Sequence, residues 1–157
     1  MESAPGMQIL DLRTEGYDLE YVNDLFEALG KQGRDTYLNY QLPIDMFYTF
    51  LFGISYCVIL AYLWDKVLRS SFLRLLVIMI PPLLVAFLDY YENCGIIKML
   101  NAYPLLTETL VNDTSEITMM KYGSMALTYS ILTLLLIAFL IVKWQLVKKT
   151  CTNSSTY

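Results

Sequence analysis

Uncharged apolar runs divide the chain and predict three membrane-spanning helices. The first run, Met46–Trp64, has 19 residues, and the last, Tyr122–Val142, has 21. At about 1.5 Å per residue, each is long enough for the roughly 30 Å hydrocarbon core of a bilayer. The middle run, Leu75–Leu88, has only 14 residues and must extend into its polar flanks to span. We therefore predict spans at 45–64, 72–94 and 122–143.

The N-terminal segment, residues 1–43, contains a predicted amphipathic helix at 17–30. Its apolar residues recur at helical spacing, namely Leu19, Val22, Leu25, Phe26 and Leu29. Asp18 suits the start of this helix, and Gly30 is a natural stop. Its polar face is acidic, whereas a helix that rests on anionic lipid usually has a basic polar face. We therefore expect the apolar stripe to pack on protein, either the spans of this chain or a partner.

The predicted fold class is accordingly an all-α membrane protein, with a transmembrane helical domain at 44–147 and a polar tail at 148–157. Residues 89–121 form a predicted loop. One alternative stays open at 94–106, which could be a fourth short helix, re-entrant or interfacial. Lys98, Asn101 and Pro104 make that stretch a poor span.

The distribution of charge predicts the orientation. Bases flank the inner ends of the spans: Lys66, Arg69 and Arg74 after the first, and Lys143, Lys148 and Lys149 after the last. The first 45 residues carry three bases and nine acids, and residues 89–121 carry two bases and five acids. The positive-inside rule then gives N-out and C-in. A mitochondrial inner membrane fits this asymmetry, and so do the endoplasmic reticulum and the plasma membrane.

Acidic side chains at two helix ends form the candidate site. Asp45 opens the first span, and Asp89 and Glu92 close the second, so the predicted topology places all three at one depth. Carboxylates near lipid are costly and need partners. In this prediction Arg34 is the cation that pairs with Asp45 or Asp89, and a neighbouring phenol donates to the acids. The predicted cluster consists of Arg34, Asp45, Asp89, Tyr90, Glu92 and Asn93.

Two roles for this cluster stay open. As a structural element, it fastens the N-terminal helix to the spans and fixes geometry more than it adds stability. As a pocket, it binds a cation, a lipid headgroup or a proton. The chain has no His, its three Cys are scattered, and no third acid stands at ligand spacing, so we expect neither a metal site nor a cofactor.

A stripe of small residues on the first span predicts close helix packing. Gly53, Cys57 and Ala61 recur every four residues and so share one helix face. Small side chains let two helix backbones approach closely in a membrane. The facing helix is either another span of this chain or a second protein.

Four strings in the chain together resemble the pattern of a family of small, poorly characterised multi-pass membrane proteins. They are "DLR" at 11–13, "LFEALGKQGRDTYL" at 25–38, "LPID" at 42–45 and "LDYYEN" at 88–93. The resemblance covers most of residues 10–142 and implies the multi-pass fold, but no reaction. By this likeness the signature positions are Arg13, Gly30, Gly33, Arg34, Tyr37, Asp45, Asp89, Glu92 and Asn93.

Composition and motifs favour a structural role over a catalytic one. Hydrophobic residues make up 56% of the chain and its net charge is −4, so we expect lipid and other membrane protein subunits as partners, and no nucleic acid. No nucleophile elbow, phosphate loop or HExxH motif is present. The first hypothesis is an accessory subunit of a larger membrane complex, for example a respiratory-type assembly. The alternatives are an enzyme or carrier that uses Asp45, Asp89 and Glu92, and an oligomeric ion or proton pathway.

Overall fold

The described part of the chain folds into four α-helices, and three helical stretches in it are long and apolar enough to cross a membrane. The computed structural model describes residues 6–68 and 72–154, and all regular elements in these residues are helical. This confirms the predicted all-α membrane fold with three spans. Arg69, one of the bases behind the predicted orientation, lies outside the described residues. The helices are α1 (Leu19–Thr36), α2 (Leu42–Val67), α3 (Phe72–Ala102) and α4 (Glu108–Ser154), and a 3₁₀ turn at Leu10–Leu12 precedes them.

Helix α1 begins where the sequence predicts and runs further than 17–30. The Asp18 carboxylate accepts a hydrogen bond from the Tyr21 amide at 2.9 Å and so caps the helix. At Gly30 the backbone leaves the helical conformation, with φ of 60° and ψ of −176°. Glycine adopts a positive φ without steric cost. Gly30 is therefore an interruption rather than the predicted end, because the helix resumes and continues to Thr36.

No loop separates the N-terminal segment from the first span. A five-residue π-helical turn, Tyr37–Gln41, joins α1 directly to α2. Pro43 lies in the first turn of α2, where its missing N–H would have no helical partner in any case. The chain is thus helical without a break across the domain boundary predicted between residues 43 and 44.

Helices α3 and α4 extend well past the predicted spans, so the predicted loop at 89–121 is largely helical. Helix α3 continues to Ala102 and α4 begins at Glu108, which leaves only residues 103–107 to connect them. A separate re-entrant helix at 94–106 is not formed, because residues 94–102 are the last turns of α3. At the other end α4 continues through Ser154, so most of the predicted polar tail is helical.

The N-terminal segment before α1 (residues 6–18), α1 and the adjoining ends of α3 and α4 pack into a helical unit that we call the head. Its core holds ten buried hydrophobic residues: Leu10, Tyr17, Val22, Leu25, Phe26, Tyr37, Leu42, Ile96, Met99 and Val111. The apolar stripe of α1 therefore rests on this chain itself. Its acidic face points outward, with Asp18, Glu20, Asp24 and Glu27 all exposed.

The small-residue face of α2 packs against α3. A side-chain carbon built at Gly53 would stand 3.2 Å from the Ala86 methyl group, so the two backbones lie close together there. The Cys57 thiol is buried, with its sulfur 4.0 Å from the Met79 carbonyl oxygen. Ala61, one more turn along, is partly buried. The face predicted for close packing thus meets another span of this chain at Gly53 and Cys57.

Helices α3 and α4 approach closely at Gly95, which gives a test of the head's packing. A side-chain carbon built at Gly95 would overlap the buried Thr114 side chain, whereas one built at Gly123 would meet nothing within 4 Å. We expect Gly95→Ala to lower the free energy of unfolding by about 1–3 kcal/mol, because overpacking outweighs the gain in helix propensity.

The matched control is Gly123→Ala, which should be neutral or raise stability by up to about 1 kcal/mol. Thermal unfolding of the purified chain in mild detergent measures both variants. Equal midpoints for the two would contradict the close approach of α3 and α4 at Gly95.

Candidate functional site

A buried lysine on α4 stands at the centre of the polar cluster. Lys121 Nζ lies 2.5 Å from Glu92 Oε2 and 3.2 Å from Asp89 Oδ1, both on α3. It also donates to the backbone carbonyl oxygen of Asp11 in the N-terminal segment, at 3.3 Å. Lys121 is 3% exposed, Asp89 2% and Glu92 0%. An ammonium group has three N–H donors; Lys121 donates hydrogen bonds to Asp89 and to the Asp11 carbonyl oxygen, and its contact with Glu92 is an ion pair.

An amide joins the first span to the second. Asn93 Nδ2 donates to Asp45 Oδ2 on α2 and to Asp89 Oδ2 on α3, each at 3.0 Å. Asn93 and Asp89 lie one helical turn apart on α3, which lets one amide group reach both carboxylates. The structure therefore brings Asp45 and Asp89 together, and Glu92 joins them through Lys121.

The Glu92 carboxylate contacts two side chains of α4, Lys121 and Thr118. Its Oε1 accepts a hydrogen bond from the Thr118 hydroxyl at 2.7 Å, one turn before Lys121 on α4. The Tyr17 hydroxyl lies 3.3 Å from the Thr118 oxygen. The backbone of Tyr17 in turn donates to the Ser115 hydroxyl at 2.8 Å. These bonds fix the N-terminal segment against α4 through buried polar contacts.

Asp11 is a fourth carboxyl in the cluster. The Tyr37 hydroxyl donates to Asp11 Oδ1, and the Tyr122 hydroxyl donates to the Asp11 carbonyl oxygen at 3.0 Å. Burial raises the pKa of the Asp11 carboxyl, because desolvation disfavours the anion; the Tyr37 hydrogen bond opposes the rise, and the Asp45 carboxylate adds to it. The folded chain then binds this proton more tightly than the unfolded chain. The contribution of Asp11 to stability therefore falls as the pH rises through the interval between the two pKa values.

Two predicted members of the cluster lie elsewhere. The Arg34 guanidinium donates to the Phe26 carbonyl oxygen and stacks 4.5 Å from the Tyr103 ring centroid. The return of the helix after Gly30 turns Arg34 towards the head core, so Lys121 and not Arg34 is the cation that meets the acids. Tyr90 is 58% exposed and packs edge-to-face on Tyr91. The phenols that reach the cluster belong to Tyr17, Tyr37 and Tyr122.

Sequence reasoning missed Lys121 and Asp11, although a signal for Lys121 is present. Lys121 directly precedes the uncharged run Tyr122–Val142, on the same side of the membrane as Asp89 in the predicted topology. A base at the edge of a span, on the acidic side, needs a buried partner as much as the acids do. Asp11 belongs to the "DLR" string, but nothing in its sequence context shows that this segment folds back onto α4.

The cluster has more acceptors than donors. Four carboxyl groups, of Asp11, Asp45, Asp89 and Glu92, surround one ammonium group. Asp11 Oδ2, Asn93 Oδ1 and Glu92 Oε2 are buried without a hydrogen-bond donor among the described residues, although Glu92 Oε2 is ion-paired with Lys121. Within residues 6–68 and 72–154, no group of three or more acidic or cysteine side chains is placed to hold a metal ion. Among these described residues, Lys121 is therefore the only cation that pairs with the acids of the cluster.

Comparison with protein-family models, with curated proteins and with solved structures finds no match to this chain. Any functional proposal therefore rests on the chemistry of its own residues.

The central position of Lys121 predicts a large loss of stability when its charge is removed. In Lys121→Met the carboxylates of Asp89 and Glu92 stay buried without their cation. Loss of one partner of a buried ion pair typically costs about 3–5 kcal/mol. Thermal or denaturant unfolding in detergent should show a loss of this size, whereas Lys98→Met, at an exposed lysine of α3, should change stability by less than about 0.5 kcal/mol.

A second substitution separates the ion pair from general damage to packing. Adding Glu92→Gln to Lys121→Met removes one uncompensated charge and should restore part of the lost stability, although Glu92→Gln alone is destabilising. This sign reversal marks direct coupling in a double-mutant cycle. Simple additivity of the two losses would contradict the pairing.

Proposed function

We propose that this chain is a structural subunit of a larger membrane protein assembly, in which the polar cluster holds the head rigidly on the spans. The observation that carries this proposal is that the charged groups at the centre of the cluster are paired with one another and shielded from solvent. Lys121 donates hydrogen bonds to Asp89 and to the Asp11 carbonyl and forms an ion pair with Glu92, and Lys121, Asp89 and Glu92 are almost completely buried. Groups that are already paired and shielded from solvent have little left for a substrate.

The connections of the cluster support a scaffolding role. Lys121 ties α4 to α3 and to the N-terminal segment, and Asn93 ties α3 to α2. The cluster thus touches every span and the segment that leads into α1. A buried polar network of this kind specifies one arrangement of its helices rather than adding net stability. The result is a head whose orientation relative to the spans is fixed.

The exposed surface of the head supports a protein partner of opposite charge. The outward face of α1 carries four acids, Asp18, Glu20, Asp24 and Glu27, while its apolar face is covered by the head core. A partner that fits this face has a basic surface, since complementary charge steers association and fixes register. The head lies on the N-out side in the proposed topology, with the tail of α4 inside. A respiratory-type assembly of the mitochondrial inner membrane is one setting that fits this polarity.

Charge reversal on α1 tests the partner surface. We expect Asp24→Lys/Glu27→Lys to release the chain from a large assembly, because two attractive contacts become repulsive, while the fold stays intact. Extraction of the tagged full-length chain from its native membranes in mild detergent, followed by native gel electrophoresis, measures the loss. Wild-type protein should migrate with an assembly several times its own 18.1 kDa mass.

The control reverses two acids at the same spacing on another exposed helix face of the head. Asp113→Lys/Glu116→Lys on α4 should leave the assembly unchanged. If the wild-type chain migrates alone under conditions that preserve other membrane complexes, the chain is not a subunit. If both double variants dissociate equally, the α1 face is not the partner surface.

A small cleft beside the cluster favours a second candidate function, the binding of a small organic cation. The cleft has a volume of about 130 Å³ and is lined by Met46, Phe50, Ala86, Asp89 and Tyr90. Asp89 contributes a carboxylate to an otherwise largely apolar wall. The neighbouring buried acceptor Asn93 Oδ1 has no donor among the described residues. In this proposal the chain acts as a carrier or enzyme on its own, through Asp45, Asp89 and Glu92.

The two candidates differ in the behaviour of the isolated chain. If the second holds, ethylammonium chloride should raise the unfolding temperature of purified wild-type protein by a few degrees relative to sodium chloride at equal ionic strength. Asp89→Asn should abolish that shift while the chain stays folded, because the amide keeps the size of the carboxyl but not its charge. An identical response to both salts removes this candidate.

A further inference from the structure

An arginine at the surface of the head has no side-chain hydrogen-bond acceptor among the described residues. The Arg13 guanidinium carbon lies 3.6 Å from the centroid of the Tyr21 ring, and this stacking is its contact within the described residues. A guanidinium carries five N–H donors in a planar fork that matches phosphate and carboxylate oxygens. Arg13 is only partly buried. It therefore differs from Lys121, which is buried and ion-paired with two carboxylates.

The platform under Arg13 is rigid. The Tyr21 hydroxyl donates to the Gln8 carbonyl oxygen at 2.8 Å and accepts from the Gln8 amide at 3.0 Å, which fixes the ring. The backbone around Arg13 is also fixed, because its amide donates to the Leu10 carbonyl at 3.1 Å and its carbonyl accepts from the Gly16 amide at 3.3 Å. A donor group held in place before binding loses little entropy when a ligand arrives.

Arg13 lines an open cleft of the head. The cleft has a volume of about 390 Å³, which is large enough for a small ligand. Its lining is mainly polar and contains one base and one acid. The lining residues are Gly6, Gln8, Arg13, Thr14, Glu15 and Tyr21. Thr14 and Glu15 are exposed, so their oxygens are accessible to a ligand that Arg13 binds.

If the uncharged run of α4 begins at the edge of the hydrocarbon core, as in the proposed topology, the contacts of the N-terminal segment put this cleft at the level of lipid headgroups. The Asp11 carbonyl bonds to Lys121 and Tyr122, where the uncharged run of α4 begins. Tyr17 bonds to Ser115, which lies about 10 Å further out along α4 at 1.5 Å per residue. Headgroups occupy roughly the first 5–7 Å outside the hydrocarbon core. Arg13 lies between Asp11 and Tyr17 in the sequence and is therefore expected between these two levels.

We propose that this cleft binds a phosphate group that carries an ammonium group a few atoms away, as in phosphoethanolamine. Arg13 and the Thr14 hydroxyl donate to the phosphate, and the Glu15 carboxylate accepts from the ammonium. The pairing of opposite charges in one cleft selects a zwitterion. The acidic surface of the head disfavours a ligand with a net negative charge but does not repel a neutral zwitterion. The ligand is either a phospholipid headgroup or the free phosphomonoester.

Native mass spectrometry of the full-length chain in detergent tests this site with three probes. They are dioctanoyl phosphatidylethanolamine, dioctanoyl phosphatidylglycerol and free phosphoethanolamine. We expect wild-type protein to bind phosphatidylethanolamine more tightly than phosphatidylglycerol. Arg13→Gln should weaken binding of both lipids by at least about tenfold, because charge-assisted hydrogen bonds to the phosphate are lost. Glu15→Gln should weaken binding of phosphatidylethanolamine alone.

Matched controls change the same charges on the head outside the cleft. Lys31→Gln and Glu108→Gln, both at exposed positions, should bind all probes as the wild type does. If Arg13→Gln fails to fold, the selective effect of Glu15→Gln carries the test, because Glu15 is exposed. Binding of free phosphoethanolamine as tight as that of the lipid identifies a soluble ligand, and binding of the lipid alone identifies a headgroup.

Three results would overturn the proposal. The first is that wild-type protein binds none of the three probes. The second is that a folded Arg13→Gln variant binds them as tightly as the wild type. The third is that Glu15→Gln changes the binding of phosphatidylethanolamine and phosphatidylglycerol to the same degree.

Discussion

The fold depends on one buried ammonium group. Lys121 brings a single positive charge to a place where carboxyl groups from the N-terminal segment, α2 and α3 converge. A charge in a region of low dielectric must be paired, or the helix that carries it moves until it is. The pairing of Lys121 with Asp89 and Glu92 therefore sets how α4 lies against α3. Its bond to the Asp11 carbonyl sets where the N-terminal segment crosses them.

Polar pairing and apolar packing have different tasks in this protein. Outside the apolar runs, the head has a core of ten buried hydrophobic residues. Burial of apolar side chains stabilises such a core by removing their surface from water. Within the spans, many large apolar side chains are exposed, for example Ile54, Phe87, Leu134 and Leu140, as expected for helices that face lipid tails. Lipid gives helices no hydrophobic reason to associate. The polar cluster and the close contact at Gly53 then fix the arrangement of the spans.

The two basic side chains near the N-terminal segment show how structural and binding groups differ. Lys121 is buried and ion-paired with Asp89 and Glu92, so its charge is balanced within the fold. Arg13 is held on a tyrosine ring with its donors unengaged among the described residues, at the edge of an open cleft. Both residues cost the chain conformational freedom. Only Arg13 keeps its hydrogen-bonding capacity for a molecule other than the chain itself.

The sequence determined the class of fold and the ends of the helices that carry the acids. Uncharged runs of bilayer length and the apolar stripe of α1 depend only on residue spacing, so they could be predicted without coordinates. The same holds for the cap at Asp18, because capping is a contact between residues three apart. The acids Asp45 and Asp89 could be expected at one depth, since Asp45 opens the first span and Asp89 closes the second, which runs the opposite way.

Only the tertiary structure decided which cation meets those acids. Asp89 and Lys121 are 32 residues apart, and Asp11 and Lys121 are 110 apart, so their pairing depends on how the helices cross and on where the first segment returns. Its position just upstream of the first span, on the predicted side of the acids, made Arg34 the candidate cation, but the interruption at Gly30 directs Arg34 to Phe26 and Tyr103 instead. The tertiary structure also decided the conformation of α3 and α4 outside the predicted spans. Their polar sequence predicted a loop, and packing on α1 made it helical, because tertiary burial overrides local preference.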